Sequence, residues 1–270
     1  MLDVWLAESA TPTPVLVSIH GGGFLNGDPM IEPPLLKHCR EAGISVVAIT
    51  YRRTNEAIAP AAFLDSARAI QFIRSKAKEW NLDPKRIAAR GESAGAGLSL
   101  WLGFHDDLAD PSNSDPVLRE STRLTCMVTL DGQSSYDPRF IRDLFPGVDI
   151  YKNPAFSNLF GFDMNKLDEA PPEKVALFEK VAPINFVTKD DAPALMVYTR
   201  LLTTPPTEKG AGTHHPLFGK KLKERMDAVG VECQLETGVT NESNRWPAMA
   251  LEFIKKHFNA AAERKGEDKR

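Results

Sequence analysis

A chain of 270 residues with 42% hydrophobic content and a formal charge of -3 suits one large globular domain. Its lysines and arginines are spread rather than clustered, which argues against a nucleic-acid partner. No apolar run approaches the roughly 20 residues of a membrane span, so no membrane span is expected.

The chain opens almost at once in a strand-like run, with neither a basic n-region nor an apolar h-region. No signal peptide is expected, and the expected location is cytoplasmic. A strand over residues 15–19 leads into His20-Gly21-Gly22-Gly23-Phe24, and a second over 45–50 precedes a helix over 61–80. The strand-like run 86–90 leads into Gly91-Glu92-Ser93-Ala94-Gly95, which opens a small-residue helix over 94–104. A strand over 124–130 is followed by about sixty residues, 131–191, without a core strand. That is too long for an ordinary connection. The interval carries seven phenylalanines: Phe140, Phe145, Phe156, Phe160, Phe162, Phe178 and Phe186. It reads as an insertion forming a lid and acyl-pocket wall, or as a helical excursion with its own small core. Strands over 194–198 and 232–236 alternate with helices over 216–229 and 247–258. The charged stretch 260–270 reads as a frayed tail. Strands alternating with helices predict an α/β fold, a mostly parallel central sheet with helices on both faces, within a single domain 1–270. Cys39, Cys126 and Cys233 are far apart, odd in number and without metal-ligand spacing. They read as buried free thiols in a reducing compartment.

Two motifs carry chemistry. The second reads G-x-S-x-G between a strand and a helix. Its glycines allow a tight turn that pushes the Ser93 hydroxyl out of the backbone, and the helix start aims free N–H groups at an oxyanion formed there. The first places three glycines after a strand, so that several N–H groups can curl towards one point. In this order, about seventy residues apart, the two describe the halves of an acyl-transfer site.

On these motifs the chain resembles an α/β-hydrolase of the hormone-sensitive-lipase-like esterase family. Leu2-Asp3-Val4-Trp5-Leu6, Tyr51-Arg52, Phe63-Leu64-Asp65 and Asp83-Pro84-Lys85-Arg86-Ile87 extend the likeness through residue 105. The resemblance implies oxyanion donors at Gly22, Gly23 and Ala94, with His20 ordering the glycine loop. It also implies a triad Asp soon after the next-to-last strand and a His after the last. Those places hold Leu202 and Asn241, neither of which can serve.

Six histidines are available. His38, His105 and His257 lie on helices and read as structural or surface residues. His214 and His215 sit before Pro216 on the loop that leaves the 194–198 strand. They read either as a relocated base or as a solvated pair at a helix start. Glu208, in the same loop, and Asp131, at the end of the strand before the insertion, are the candidate acids. Two functions stay open. One is a serine carboxylesterase acting through an acyl-enzyme on Ser93, with a small or short-chain acyl ester as substrate and no metal or organic cofactor. The other is a catalytically degenerate α/β-hydrolase that binds a ligand or a partner protein. The oligomeric state is open.

Overall fold

A computed structural model describes residues 1–206, 212–239 and 245–267. Seven strands form one sheet: β1 (Leu2–Trp5), β2 (Thr13–Ile19), β3 (Ser45–Ile49), β4 (Leu82–Glu92), β5 (Cys126–Leu130), β6 (Ala194–Tyr198) and β7 (Cys233–Thr237). The order is β1-β3-β2-β4-β5-β6-β7, with every pair parallel except the edge pair β1 and β3. The chain steps from β2 outward to β3, then crosses back to lay β4 on the other side of β2. This is the reversal above which α/β sheets form their crevices.

Helices described among these residues are α1 (Pro33–Glu41), α2 (Ala61–Ser75), α3 (Ala94–Phe104), α4 (Pro138–Leu144), α5 (Pro154–Phe160), α6 (Pro172–Lys180), α7 (Leu217–Val229) and α8 (Arg245–Glu267). Successive strand residues point to opposite faces. Val15, Val17 and Ile19 meet α2, α3 and α7 through Phe63, Leu98 and Phe218 in one core. Leu16, Val46, Ala88 and Val128 meet α1 and α8 through Leu35, Ala250 and Ile254 in the other. The inner strands are buried on both faces, which explains their continuous apolar runs. Cys39, Cys126 and Cys233 are buried free thiols. Among the described residues, no helix is long and apolar enough to cross a membrane.

Between β5 and β6 the chain holds α4, α5, α6 and three short 3-10 turns. Phe145, Phe156, Phe160 and Phe178 are buried here, and Phe140, Phe162 and Phe186 pack beside them. All seven extend the main core rather than forming a separate one. Trp101 Nε1 of α3 donates to Lys180 O at 3.0 Å, tying the insertion to the helix behind Ser93.

Two helix ends differ most from expectation. Helix α2 ends at Ser75, not near residue 80, although Trp80 still packs edge-on against Phe72. The expected frayed tail is helical as far as Glu267. Ala260, Ala261, Ala262 and Glu263 are strong helix formers, so intrinsic propensity carries α8 on where apolar periodicity stops.

Candidate active site

Ser93 stands between β4 and α3 with φ 51° and ψ -116°, a conformation uncommon for a residue with a side chain. Its N–H donates to Leu130 O of β5 at 2.9 Å, which pins the turn to the sheet. Ala94 opens α3, so its N–H is among those with no intrahelical carbonyl.

The glycine loop faces this turn. Gly22 has φ 106°, and a Cβ there would lie 2.1 Å from Asn26 O, so only glycine closes the curl. Phe24 is held at φ 63° by its packing, with ring centroids 5.8 Å from Phe63 and 5.2 Å from Tyr136. His20 is buried beneath the loop. Its Nδ1 donates to Gly21 O at 2.7 Å, its Nε2 pairs with Thr50 Oγ1 at 3.1 Å, and its ring stacks on Tyr51 at 4.4 Å. Burial lowers its pKa, partly offset by the Gly21 hydrogen bond. These contacts engage both ring nitrogens in holding the loop.

The structure separates the two neighbouring histidines. His214 Nε2 lies 2.8 Å from Ser93 Oγ. His215 turns away and is buried. Its Nε2 donates to Thr204 O at 2.6 Å, and its Nδ1 accepts from Leu217 N at 3.1 Å at the start of α7. As a candidate base His215 is therefore corrected, because both ring nitrogens are used elsewhere. His105 lies against Trp101 and Phe186, and His257 against Phe253.

Asp131 follows β5 with φ 51°. Its Oδ1 accepts from Thr199 N at 2.9 Å and its Oδ2 from Thr199 Oγ1 at 2.8 Å. Burial lowers the His214 pKa from its ordinary value, the Asp131 charge pulls it back up, and Arg200 adds to the lowering. The ring is thus biased towards its proton-accepting form at neutral pH. Relative to the resemblance, base and acid candidates each sit one strand earlier: the histidine follows β6 and the aspartate β5. Glu208 and Asn241 lie outside the described residues.

Ser93, His214, Gly22, Gly23 and Ala94 border one cavity of about 450 Å³. Phe24, Tyr136, Ala155 and Phe156 supply its apolar wall, with Gln133, Asn153 and Thr213 between them. The interval between β5 and β6 contributes Gln133, Tyr136, Asn153, Ala155 and Phe156. No signal in the sequence singled out Gln133 or Asn153. Among the described residues, no group of three or more His, Cys, Asp or Glu side chains forms a metal cradle.

Residues 2–201 match the BD-FAE family, a stretch that includes the glycine loop, Ser93 and Asp131 but ends before His214. The probable carboxylic ester hydrolase LipM of Mycobacterium tuberculosis is 35% identical over 222 residues, 78% of this chain and 47% of LipM. Esterase LipQ of the same organism is 32% identical over 123 residues, 44% of this chain and 28% of LipQ. The chain thus spans less than half the length of either relative. An acetyl ester-xyloside bifunctional hydrolase from Caldicellulosiruptor lactoaceticus superposes with a TM-score of 0.75 at 21% identity, covering 94% of this chain and 87% of that one. A truncated carbohydrate esterase from gut microbiota gives 0.74 at 22%, covering 96% and 90%. At these identities the two structures speak to the fold alone.

Proposed function

The chain belongs to the BD-FAE family of α/β-hydrolase esterases, and from that premise we propose that it is a serine carboxylesterase for small or short-chain acyl esters. The observation that carries the proposal is the 2.8 Å contact between His214 Nε2 and Ser93 Oγ. A hydroxyl with an imidazole in hydrogen-bond reach is an activated nucleophile; without one it stays weak at neutral pH. That contact favours an enzyme over a degenerate binding protein. The names of LipM and LipQ agree with the ester class.

In the proposed reaction the Ser93 oxygen attacks the ester carbonyl while His214 Nε2 takes its proton. Negative charge gathers on the carbonyl oxygen, where the N–H groups of Gly22, Gly23 and Ala94 stabilise it. Collapse breaks the ester C–O bond, and His214 returns the proton to the leaving alcohol. A water molecule, deprotonated by the same ring, then attacks the acyl-serine and releases the acid. Asp131 stabilises the transient imidazolium through its charge, while Thr199 keeps the carboxylate in place. The cavity of about 450 Å³ is at the small end of the range for ligand pockets, and its aromatic wall suits a short acyl chain.

The test is hydrolysis of p-nitrophenyl acetate, butyrate and octanoate by the wild type and by Ser93→Ala. The expected result is turnover that favours the shorter chains, and a loss of about a thousandfold or more in the variant. A fluorophosphonate should label the wild type at Ser93. Equal rates for the two proteins, or no labelling, would remove the proposal.

A further inference from the structure

His214 sits on a loop rather than on a strand or helix, yet its ring must be held to within about half an ångström of the productive position. Something outside the loop must hold it. We propose that Gln133, near the start of the insertion, is a positioning residue that holds the His214 segment on Ser93. This inference rests on His214 as the base.

Gln133 is only 4% exposed. Its Nε2 donates to Thr213 O at 2.5 Å, and its Oε1 accepts from the Tyr136 hydroxyl at 3.3 Å. The Thr213 carbonyl belongs to the peptide plane that enters His214. Because that unit is planar, fixing its oxygen fixes the root of the imidazole. The same Nε2 lies 3.4 Å from Asp131 O, so one amide spans the residue of the acid and the segment of the base. Tyr136 in turn packs on Phe24 of the glycine loop at 5.2 Å, which links base, acid and oxyanion loop through buried contacts.

The rest of the segment docks on the insertion too. Gly212 lies flat against Ile150, where a Cβ would sit 2.1 Å from Cδ1. His215 meets the Phe145 ring edge-on at 5.5 Å. The insertion thus touches the residues on both sides of His214 and holds its incoming peptide.

The amide chemistry is specific. The partner on Thr213 is a carbonyl, which only accepts, and the partner on Tyr136 is a hydroxyl that donates. A glutamate of the same shape would set an acceptor against the Thr213 carbonyl. A methionine would keep the volume and lose both bonds.

The experiment compares Gln133→Glu and Gln133→Met in the wild type and in His214→Gln, using p-nitrophenyl acetate. In the wild type both should lower kcat about tenfold or more and leave KM within about threefold, as expected when transition-state geometry is lost. The charged groups described around the ring are Asp131 and Arg200, with Glu92 on the same cavity. In Gln133→Met none of these changes and no charge is added, so release of the ring from its buried place should move the acid limb of kcat/KM up towards the ordinary histidine value; the pH profile is read in that variant alone, because the carboxylate of Gln133→Glu would raise the limb by its own charge. In the His214→Gln background, where the oxyanion hole still leaves a measurable rate, neither variant should cost more than about twofold.

An unchanged kcat, an unmoved acid limb, or an equal loss in both backgrounds would overturn the positioning role. If His214→Gln itself kept the full rate, the base assignment would fail instead. A second route does not depend on a Gln133 variant folding. Gly212→Ala should lower kcat by pushing the segment off Ile150, and adding Ile150→Ala should restore it. No rescue would count against docking on the insertion.

Discussion

Ser93 and His214 meet at 2.8 Å, but the two halves of the site that bring them together are built differently. On the nucleophile side the backbone decides. The φ of 51° at Ser93, the start of α3 and the curl at Gly22 set the geometry, and the parallel strands β2 and β4 bring the two turns face to face. On the base side, side chains decide. Gln133, Phe145 and Ile150 of the insertion and Thr199, just after β6, hold the 212–215 segment and Asp131. Chemistry fixed by backbone tolerates little local substitution. Chemistry fixed by side chains can move to a neighbouring strand if a docking surface moves with it.

The largest loss is expected on the backbone side. Gly22→Ala should lower kcat by about 10²–10³-fold, the loss typical for one oxyanion donor. The added Cβ must also occupy space 2.1 Å from Asn26 O at a φ of 106°, so the midpoint of thermal unfolding should fall as well. Steady-state kinetics beside a melting curve check both; full activity would show that the curl does not depend on glycine.

Asp131→Asn should cost less, about ten- to a hundredfold in kcat/KM, because the carboxylate acts on His214 through its charge while Thr199 holds it. The pH profile sharpens this. Burial lowers the His214 pKa, so the acid limb of wild-type kcat/KM should lie below the ordinary 6.5. Asp131 raises that pKa, so its neutralisation should move the limb further down. An upward move would contradict the assigned acid.

His215→Ala should have the smallest effect on chemistry, under about tenfold in kcat. It should instead destabilise the fold by about 1–3 kcal/mol, since Thr204 O loses a buried partner. Chemical denaturation beside activity separates the two.

The same contrast explains what the sequence could carry. The G-x-S-x-G turn and the glycine run are legible because steric rules at single residues demand those residue types. The order of strands and helices was legible because burial imposes a period. The sequence pattern does not distinguish His214 from His215, since which ring faces Ser93 depends on the backbone of Thr204 and Leu217 and on the insertion, none of which leaves a signature in residue type. Gln133 was invisible for the same reason: a lone glutamine gains meaning only when a strand end sets it against Thr213. The helix through residues 260–267 leaves no apolar period in the sequence, because helix propensity rather than burial sustains it.

The central claim is that the general base follows β6 at His214, and the most direct test is kcat/KM for p-nitrophenyl acetate in His214→Gln and His215→Gln measured side by side. His214→Gln should lose about a hundredfold or more, within the 10²–10⁴-fold that proton transfer supplies, and His215→Gln less than tenfold. Full activity in His214→Gln while Ser93→Ala is inactive, or the larger loss at His215, would contradict it.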